Sequence, residues 1–277
     1  MLSLLLVVLG FFAGLLGALT GTGGGLLLTP ILALHFGIPI REAIGTSLVA
    51  VITTSVASSS VHLQRHTTDI RLGMTLELAT ALGAATTAYL AGYFNRTVLE
   101  ALFAGFLLYS SITLLRHGGK AKAGLTDEAT TPESAAGEDS GEISGELAIP
   151  EYEPKNYPLG LSASLAAGSL SGLLGIGGGP IKVPVMYIFM GVPLMVATAT
   201  SNFMIGVTAA ASAVVYYRRG DILVQIAAPL SIGVFVGSLL GARLAPRIRT
   251  QYVIYLLVAI MLYLALHLMV HLHAGAN

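Results

Sequence analysis

Long apolar runs separated by short polar ones dominate the chain. Stretches long enough to cross about 30 Å of hydrocarbon recur at roughly 3–20, 43–62, 72–94, 97–115, 159–181, 197–217, 222–242 and 251–270. Two shorter apolar pieces, about 26–36 and 180–190, each follow a glycine run: Gly21-Thr22-Gly23-Gly24-Gly25 and Gly175-Ile176-Gly177-Gly178-Gly179. The pattern predicts an all-α polytopic membrane protein made of two repeats. Each repeat is a Gly-broken helical hairpin plus three transmembrane helices. Between them, 116–157 is rich in Glu, Gly, Ser, Thr and Pro. That stretch cannot bury enough apolar surface to offset its ordering, so it reads as a disordered linker. The units expected are therefore 1–115, the linker 116–157, and 158–277. The opening MLSLLLVVLGFFAG has no basic leader and no small-residue cleavage site, and reads as a retained first span rather than a signal peptide.

The two halves match at an offset of 154 residues. Gly14, Gly21, Gly23, Gly24, Gly25, Pro30, Gly37 and Pro39 return as Gly168, Gly175, Gly177, Gly178, Gly179, Pro184, Gly191 and Pro193. The register continues without a gap. Ala43, Thr46, Ser47, Thr54, Ala57 and Ser58 match Ala197, Thr200, Ser201, Thr208, Ala211 and Ser212, and later Gly83 matches Gly237 and Tyr109 matches Tyr263. Biased composition would scatter such matches over many offsets, so the chain carries an internal repeat.

If the broken pair enters and returns, or crosses twice, each unit makes an odd number of crossings and the second is inverted. Basic residues test this. With the linker in the cytoplasm, the inner side holds Arg65, Arg71, Arg116, Lys120, Lys122, Lys155, Arg243, Arg247 and Arg249. The outer side holds Arg41, Arg96, Arg218 and Arg219. This bias favours inverted repeats with both termini outside.

Composition agrees. Of the residues, 55% are hydrophobic and 10% charged, and the mean hydropathy is +0.81. A soluble domain carries about 25% charged residues. Nine of the 14 acidic residues lie between Asp127 and Glu153, which leaves Glu42, Asp69, Glu77, Glu100 and Asp221 elsewhere. Net charge is zero, so neither nucleic acid nor an acidic surface is indicated as a partner. The absence of cysteine excludes disulfides, thiolate metal sites and thiol catalysis. No cofactor is implied.

Successive glycines stop a helix, because they carry a high entropic cost within one. Irregular backbone survives in a bilayer only when buried in protein or facing a wet cavity. The helix that restarts after the break has unpaired N–H groups and the positive end of its dipole there, which suits an anion. Two inverted copies aim two such starts at one midplane point, as in secondary transporters. Close helix packing explains Gly10, Gly14 and Gly17 equally well, but it wants glycines on one face rather than in a run. No Lys-Ser or Lys-Thr pair follows either run, and the G-x-G-x-x-G spacing is broken at Leu26 and Pro180, which disfavours a nucleotide loop.

The first copy, GLLGALTGTGGGLLLTPIL from Gly14, is followed by GIP and AIGTSL. The second, GSLSGLLGIGGGPIKVPVM from Gly168, is followed by GVP and ATATSN. These motifs resemble the sulfite exporter TauE/SafE family of membrane transporters, over both halves and nearly everything but the linker. The resemblance implies movement of sulfite, organosulfonates or other small sulfur-containing anions across a cytoplasmic membrane. It points to Gly21–Gly25, Thr46, Ser47, Gly175–Gly179, Thr200 and Ser201. The chain departs from the family pattern at Lys182, where such positions are usually apolar and the first copy has Leu28, and in its longer, more acidic linker.

The candidate substrate-binding set is Gly21, Thr22, Gly23, Gly24, Gly25, Thr46, Ser47, Gly175, Gly177, Gly178, Gly179, Lys182, Thr200, Ser201 and Asn202. Lys182 either supplies positive charge to an anionic substrate or snorkels to the cytoplasmic interface. The hydroxyls of Thr46, Ser47, Thr200 and Ser201 can cap a helix, bond across helices or bind oxyanion oxygens. Thr22 is weaker, since its counterpart is Ile176. Glu77 either couples a proton or reaches the interface, and its counterpart is Ser231. His62 and His66 sit with Arg65, Asp69 and Arg71 in one inner loop, read as a solvated basic loop in preference to a metal site. His267, His271 and His273 are placed at the outer interface. The run Gly168-Ser169-Leu170-Ser171-Gly172 lacks the central serine of a nucleophile elbow, and nothing else builds catalysis.

The expected activity is secondary transport of a small sulfur-containing anion, with export the favoured direction, by alternating access of two rocking units. Partners are the anion, the lipid bilayer and a coupling proton or ion; a homo-oligomer is compatible. Two alternatives stay open: an anion channel of the same architecture, and a receptor or assembly protein that recruits a partner through the acidic linker.

Overall fold

The computed structural model describes residues 2–118, 152–245, 248 and 250–274. The linker expected at 116–157 falls mostly on 119–151, outside the described residues. Ten α-helices are present among the described residues, and no strand. The first half holds α1 (Leu2–Thr20), α2 (Gly25–His35), α3 (Ile40–Gln64), α4 (Ile70–Ala91) and α5 (Arg96–Gly118). The second holds α6 (Tyr157–Leu174), α7 (Gly179–Pro184), α8 (Leu194–Arg219), α9 (Val224–Leu244) and α10 (Thr250–Ala274). A π-helical turn, Val185–Phe189, extends α7. It starts behind Pro184, whose ring removes a helix donor.

Five of these helices are long and apolar enough to cross a membrane by length and composition: α1, α3, α5 (as Arg96–Leu115), α8 and α9. The sequence reading ran the first span of the second half from 159 to 181. In the structure α6 stops at Leu174, because Gly175 takes a left-handed backbone with φ 69°.

Local geometry repeats with the sequence. Pro39 and Pro193 precede α3 and α8 with φ −51° and −53° and ψ 136° and 139°. Contacts between the halves are exchanged in the same register. A side chain on Gly237 of α9 would strike the Phe11 carbonyl of α1, and one on Gly83 of α4 would strike the Leu165 carbonyl of α6. Glycines therefore let α1 lie on α9 and α6 on α4 at backbone contact. Phe103 and Leu107 of α5 join Leu257 and Met261 of α10 in one apolar cluster.

Helix directions follow from successive contacts. Val7, Phe11 and Leu15 meet Gly233, Gly237 and Gly241, so α1 and α9 run parallel. Thr46 bonds Leu223 and Arg65 bonds the Ala242 carbonyl, so α3 and α9 run parallel. Asp69, Glu77 and Ala88 of α4 bond Thr200, Thr208 and Arg219 of α8, again in parallel. The α3–α4 pair is antiparallel, since Arg41 at the start of α3 donates to the Phe94 carbonyl just beyond α4.

One end of the molecule thus gathers Arg65, Arg243, Asp69 and Tyr152, the last donating its hydroxyl to Asp69 Oδ2 at 2.7 Å. Burial and that bond push the Tyr152 hydroxyl well above its usual pKa. The other end gathers Arg41, Arg96 and Arg219 near the Tyr89–Tyr93 pair. Large apolar residues such as Leu4, Met74, Leu78, Val214 and Ile232 stay exposed between the ends, as lipid contact requires.

Candidate substrate site

The glycine runs end one helix and start the next in the same way in both halves. Gly21, Gly23 and Gly24 have φ of 71°, 79° and 75°; Gly175, Gly177 and Gly178 have 69°, 78° and 78°. Left-handed backbone at three of four positions is where a Cβ is penalised, so the breaks demand glycine. Each restarted helix is closed by its own glycine: Leu27 and Leu28 donate to the Gly24 carbonyl, and Ile181 and Lys182 to that of Gly178.

The two breaks touch. A Cβ on Gly25 would collide with the Gly175 carbonyl oxygen, and one on Gly179 with that of Gly21. Val51 of α3 and Ile205 of α8, equivalent residues at the offset of 154, wedge against both Gly23 and Gly177. All residues of both breaks are buried. Two helix N-termini and two sets of turning backbone therefore lie against each other in the interior of the protein.

The structure brings some of the sequence-derived polar candidates to this junction. Ser201 donates to the Gly21 carbonyl at 3.2 Å, and Asn202 Nδ2 to that of Ala18 at 3.2 Å. Asn202 Oδ1 is buried without a partner, and so is Ser47 Oγ, the counterpart of Ser201. Thr22 pairs with Thr20 through hydroxyls 2.9 Å apart. A buried polar atom left unpaired carries a desolvation cost, which a ligand or water removes.

Thr46 and Thr200 are placed differently. Thr200 Oγ1 accepts from the Asp69 backbone N–H at 3.0 Å, and Thr46 Oγ1 from that of Leu223 at 3.1 Å. Asp69 and Leu223 are themselves the residues that precede α4 and α9, again 154 apart. Each threonine thus ties the start of a helix in the opposite half.

Lys182 does not reach the surface. Its Nζ lies 3.0 Å from Glu77 Oε2 and 2.9 Å from Thr208 Oγ1, and Thr208 in turn donates to Glu77 Oε1. Lys182 and Glu77 are 2% and 5% exposed, so both interfacial readings of these residues give way to a closed triad. The Lys182 stem also rests on the second break, Cε lying near Gly178. Their counterparts Leu28, Ser231 and Thr54 make no such group. The pairing itself was not read from sequence. Its signal was partial: Lys182 and Glu77 each replace an uncharged counterpart, Leu28 and Ser231, but so do several charges that do not pair.

His62 also departs from the solvated loop expected of it. It is 7% exposed, 3.4 Å from Thr67 Oγ1 through Nδ1, and its Nε2 is buried unpaired. Among the described residues no group of three His, Asp or Glu side chains is arranged to hold a metal.

A family model described as sulfite exporter TauE/SafE matches residues 6–268. A probable membrane transporter protein of Bacillus subtilis, YunE, is 30% identical over 240 residues, covering 84% of this chain and 85% of its own. A probable membrane transporter protein of Methanocaldococcus jannaschii is 27% identical over 83% of this chain and 81% of its own. A second from Bacillus subtilis, YdhB, is 24% identical over 84% of this chain and 88% of its own. No solved structure matches. The protein is a multi-pass membrane transporter rather than an enzyme, and the chain belongs to the sulfite exporter TauE/SafE family.

Proposed function

We propose that the protein moves a small sulfur-containing anion, sulfite or an organosulfonate, outward across the cytoplasmic membrane by alternating access. The observation that carries this reading is the contact between the two Gly-rich breaks, Gly25 against the Gly175 carbonyl and Gly179 against that of Gly21. Backbone N–H groups and dipoles at the starts of α2 and α7 attract an oxyanion there without placing a full charge in the bilayer. Ser47, Ser201, Asn202 and Thr22 supply hydrogen bonds, and Lys182, whose stem borders Gly178, supplies a cation close to the second break. Thr46 and Thr200 complete the set, each with its hydroxyl at a helix start of the opposite half.

The two halves are inverted repeats. The parallel sets α1–α3–α9 and α4–α6–α8, with α3 antiparallel to α4, support that orientation. The end that carries Arg65, Arg243 and Tyr152 faces the cytoplasm with the linker, following the basic-residue bias. The two chain ends lie outside. Rocking one half against the other about the Val51–Ile205 wedge opens the paired breaks to each side in turn.

Purified protein in liposomes, loaded in turn with labelled sulfite, methanesulfonate, taurine, sulfate and chloride, tests the substrate class. Saturable flux of sulfite or a sulfonate above that of empty liposomes is expected. Saturable flux of chloride alone, or no flux of any sulfur anion, overturns it.

A further inference from the structure

The Lys182–Glu77–Thr208 triad is one-sided. Among the described residues it is the one ion pair with both side chains buried, at 1% and 6% exposure. The equivalent place in the first half holds Leu28, Ser231 and Thr54. Burying two charges costs more than their attraction returns unless further bonds satisfy them, so an ion pair retained on one side of a near-symmetric pair calls for a role beyond stability.

The geometry of the triad is that of a bound oxyanion. Two donors, the Lys182 ammonium and the Thr208 hydroxyl, each serve one oxygen of the Glu77 carboxylate. A sulfonate or sulfite presents the same features, a negative charge spread over oxygens that accept. Lys182 is also the cation that borders Gly178 at the second break. Glu77 therefore holds the donors that a substrate anion needs.

We propose that Glu77 is an internal substitute for the substrate, and that a proton on its carboxyl releases Lys182 and Thr208 to the anion. One proton then travels with each anion. This rests on the anion reading above. The cycle balances in charge. A proton from the cytoplasmic side joins a Glu77 oxygen, the anion takes its place on Lys182, and both leave on the far side. Glu77 then returns to Lys182 as the carboxylate. Thr208 has a second acceptor ready, the Met204 carbonyl at 3.2 Å, and so keeps its hydrogen bonded whichever partner is present. With Glu77 the one carboxyl of the triad, the stoichiometry is one proton per anion, and the transport of a singly charged anion is electroneutral.

Among the described residues no other charged group stands beside the pair. On α4, Arg71 and Asp69 lie near the start and Tyr89 near the end. Along α6 the sole ionisable side chain is Tyr157, at its first residue. On α8 the nearest, Tyr216, Tyr217, Arg218 and Arg219, lie about two to three turns beyond Thr208. Segment 179–189 adds only Tyr187 to Lys182, and Tyr152 is engaged with Asp69.

Methanesulfonate, which stays ionised across the usable pH range, isolates the protein's own titration. Proteoliposomes are given a pH difference of one unit, and steady-state accumulation of methanesulfonate is read with and without a membrane potential. Wild type is expected to accumulate about tenfold for each pH unit and to ignore the potential. Glu77→Gln is expected to equilibrate the anion without accumulating it. Glu77→Gln paired with Lys182→Met, which removes the lone buried cation, serves if the single variant does not fold, and is expected to show no proton-linked accumulation. Infrared difference spectra between high and low pH supply a readout that needs no substrate. A protonated carboxyl band present in wild type and lost in Glu77→Gln is expected.

Accumulation that persists in the Glu77 variants, or methanesulfonate flux indifferent to the pH difference in wild type, overturns the proposal. Absence of the Glu77 band throughout the pH range overturns it as well. The band with no flux of any sulfur anion instead sinks the substrate reading and supports a titrating Glu77.

Discussion

Thr46 and Thr200 perform the same task at opposite ends of the molecule. Each hydroxyl oxygen accepts the backbone N–H of the residue that precedes a helix in the other half, Leu223 at 3.1 Å and Asp69 at 3.0 Å. Orphan N–H groups at helix starts need such partners, and here each repeat supplies the other's. The repeats are thereby bound by reciprocal caps as well as by apolar packing.

Replacing either threonine with valine keeps the shape and removes the acceptor. The part-buried N–H left behind costs up to about 1–3 kcal/mol. Thr46→Val and Thr200→Val should lower thermal stability in detergent by similar amounts, and the serine versions should restore most of it. Unequal effects would mean that one hydroxyl has a duty the other lacks.

Glycines at the touching breaks tolerate no side chain. Gly25→Ala and Gly179→Ala place a methyl against a carbonyl oxygen across the junction, an overpacking that costs about 1–3 kcal/mol. Transport should fall with each. Gly105→Ala meets nothing within 4 Å and should leave both stability and flux unchanged. Melting curves and flux on the three variants check this.

Removing one member of a buried ion pair leaves the other uncompensated. Lys182→Leu should destabilise by about 3–5 kcal/mol, and Glu77→Leu similarly. The double variant should recover much of the loss, since Leu28 already fills the equivalent place in the first half. A double-mutant cycle on unfolding measures the coupling. Additive losses would separate the two residues energetically.

The linker contributes none of the residues assigned to the substrate. Deleting 120–150 should preserve flux in liposomes. Loss of flux in a protein that still folds would move the function toward partner recruitment through the acidic segment.

Much of this was legible in the sequence because a repeat states the same thing twice. The breaks at Gly21–Gly25 and Gly175–Gly179, the proline starts of α3 and α8, and the apolar spans all follow from local chemistry, which sequence carries directly. The end of α6 at Leu174 was overrun because apolar character continues through Ile176 and Ile181, while the left-handed turn at Gly175 leaves no mark on hydropathy. The Lys182–Glu77 pair was hidden by its sequence separation. Lys182 alone left substrate charge and snorkelling open, Glu77 alone left proton coupling and the interface open, and only the packing of α4 on α8 beside α7 brings them together. Thr46 and Thr200 suggested substrate contact, and their capping of the opposite half depends on the same long-range packing.

The chain has no cysteine, so a single thiol can be placed at the junction without other changes. Ser47→Cys puts one at a buried, unpartnered hydroxyl on α3 between Ile44 and Val51, which border Gly175 and Gly25. Labelling with a membrane-impermeant maleimide, from each face of the membrane in turn and with or without methanesulfonate, tests the central claim most directly. Paired breaks that form one alternately opened substrate site predict slow labelling from both faces and protection by the sulfonate. Labelling confined to one face, or labelling from either face that methanesulfonate leaves unchanged, would contradict it.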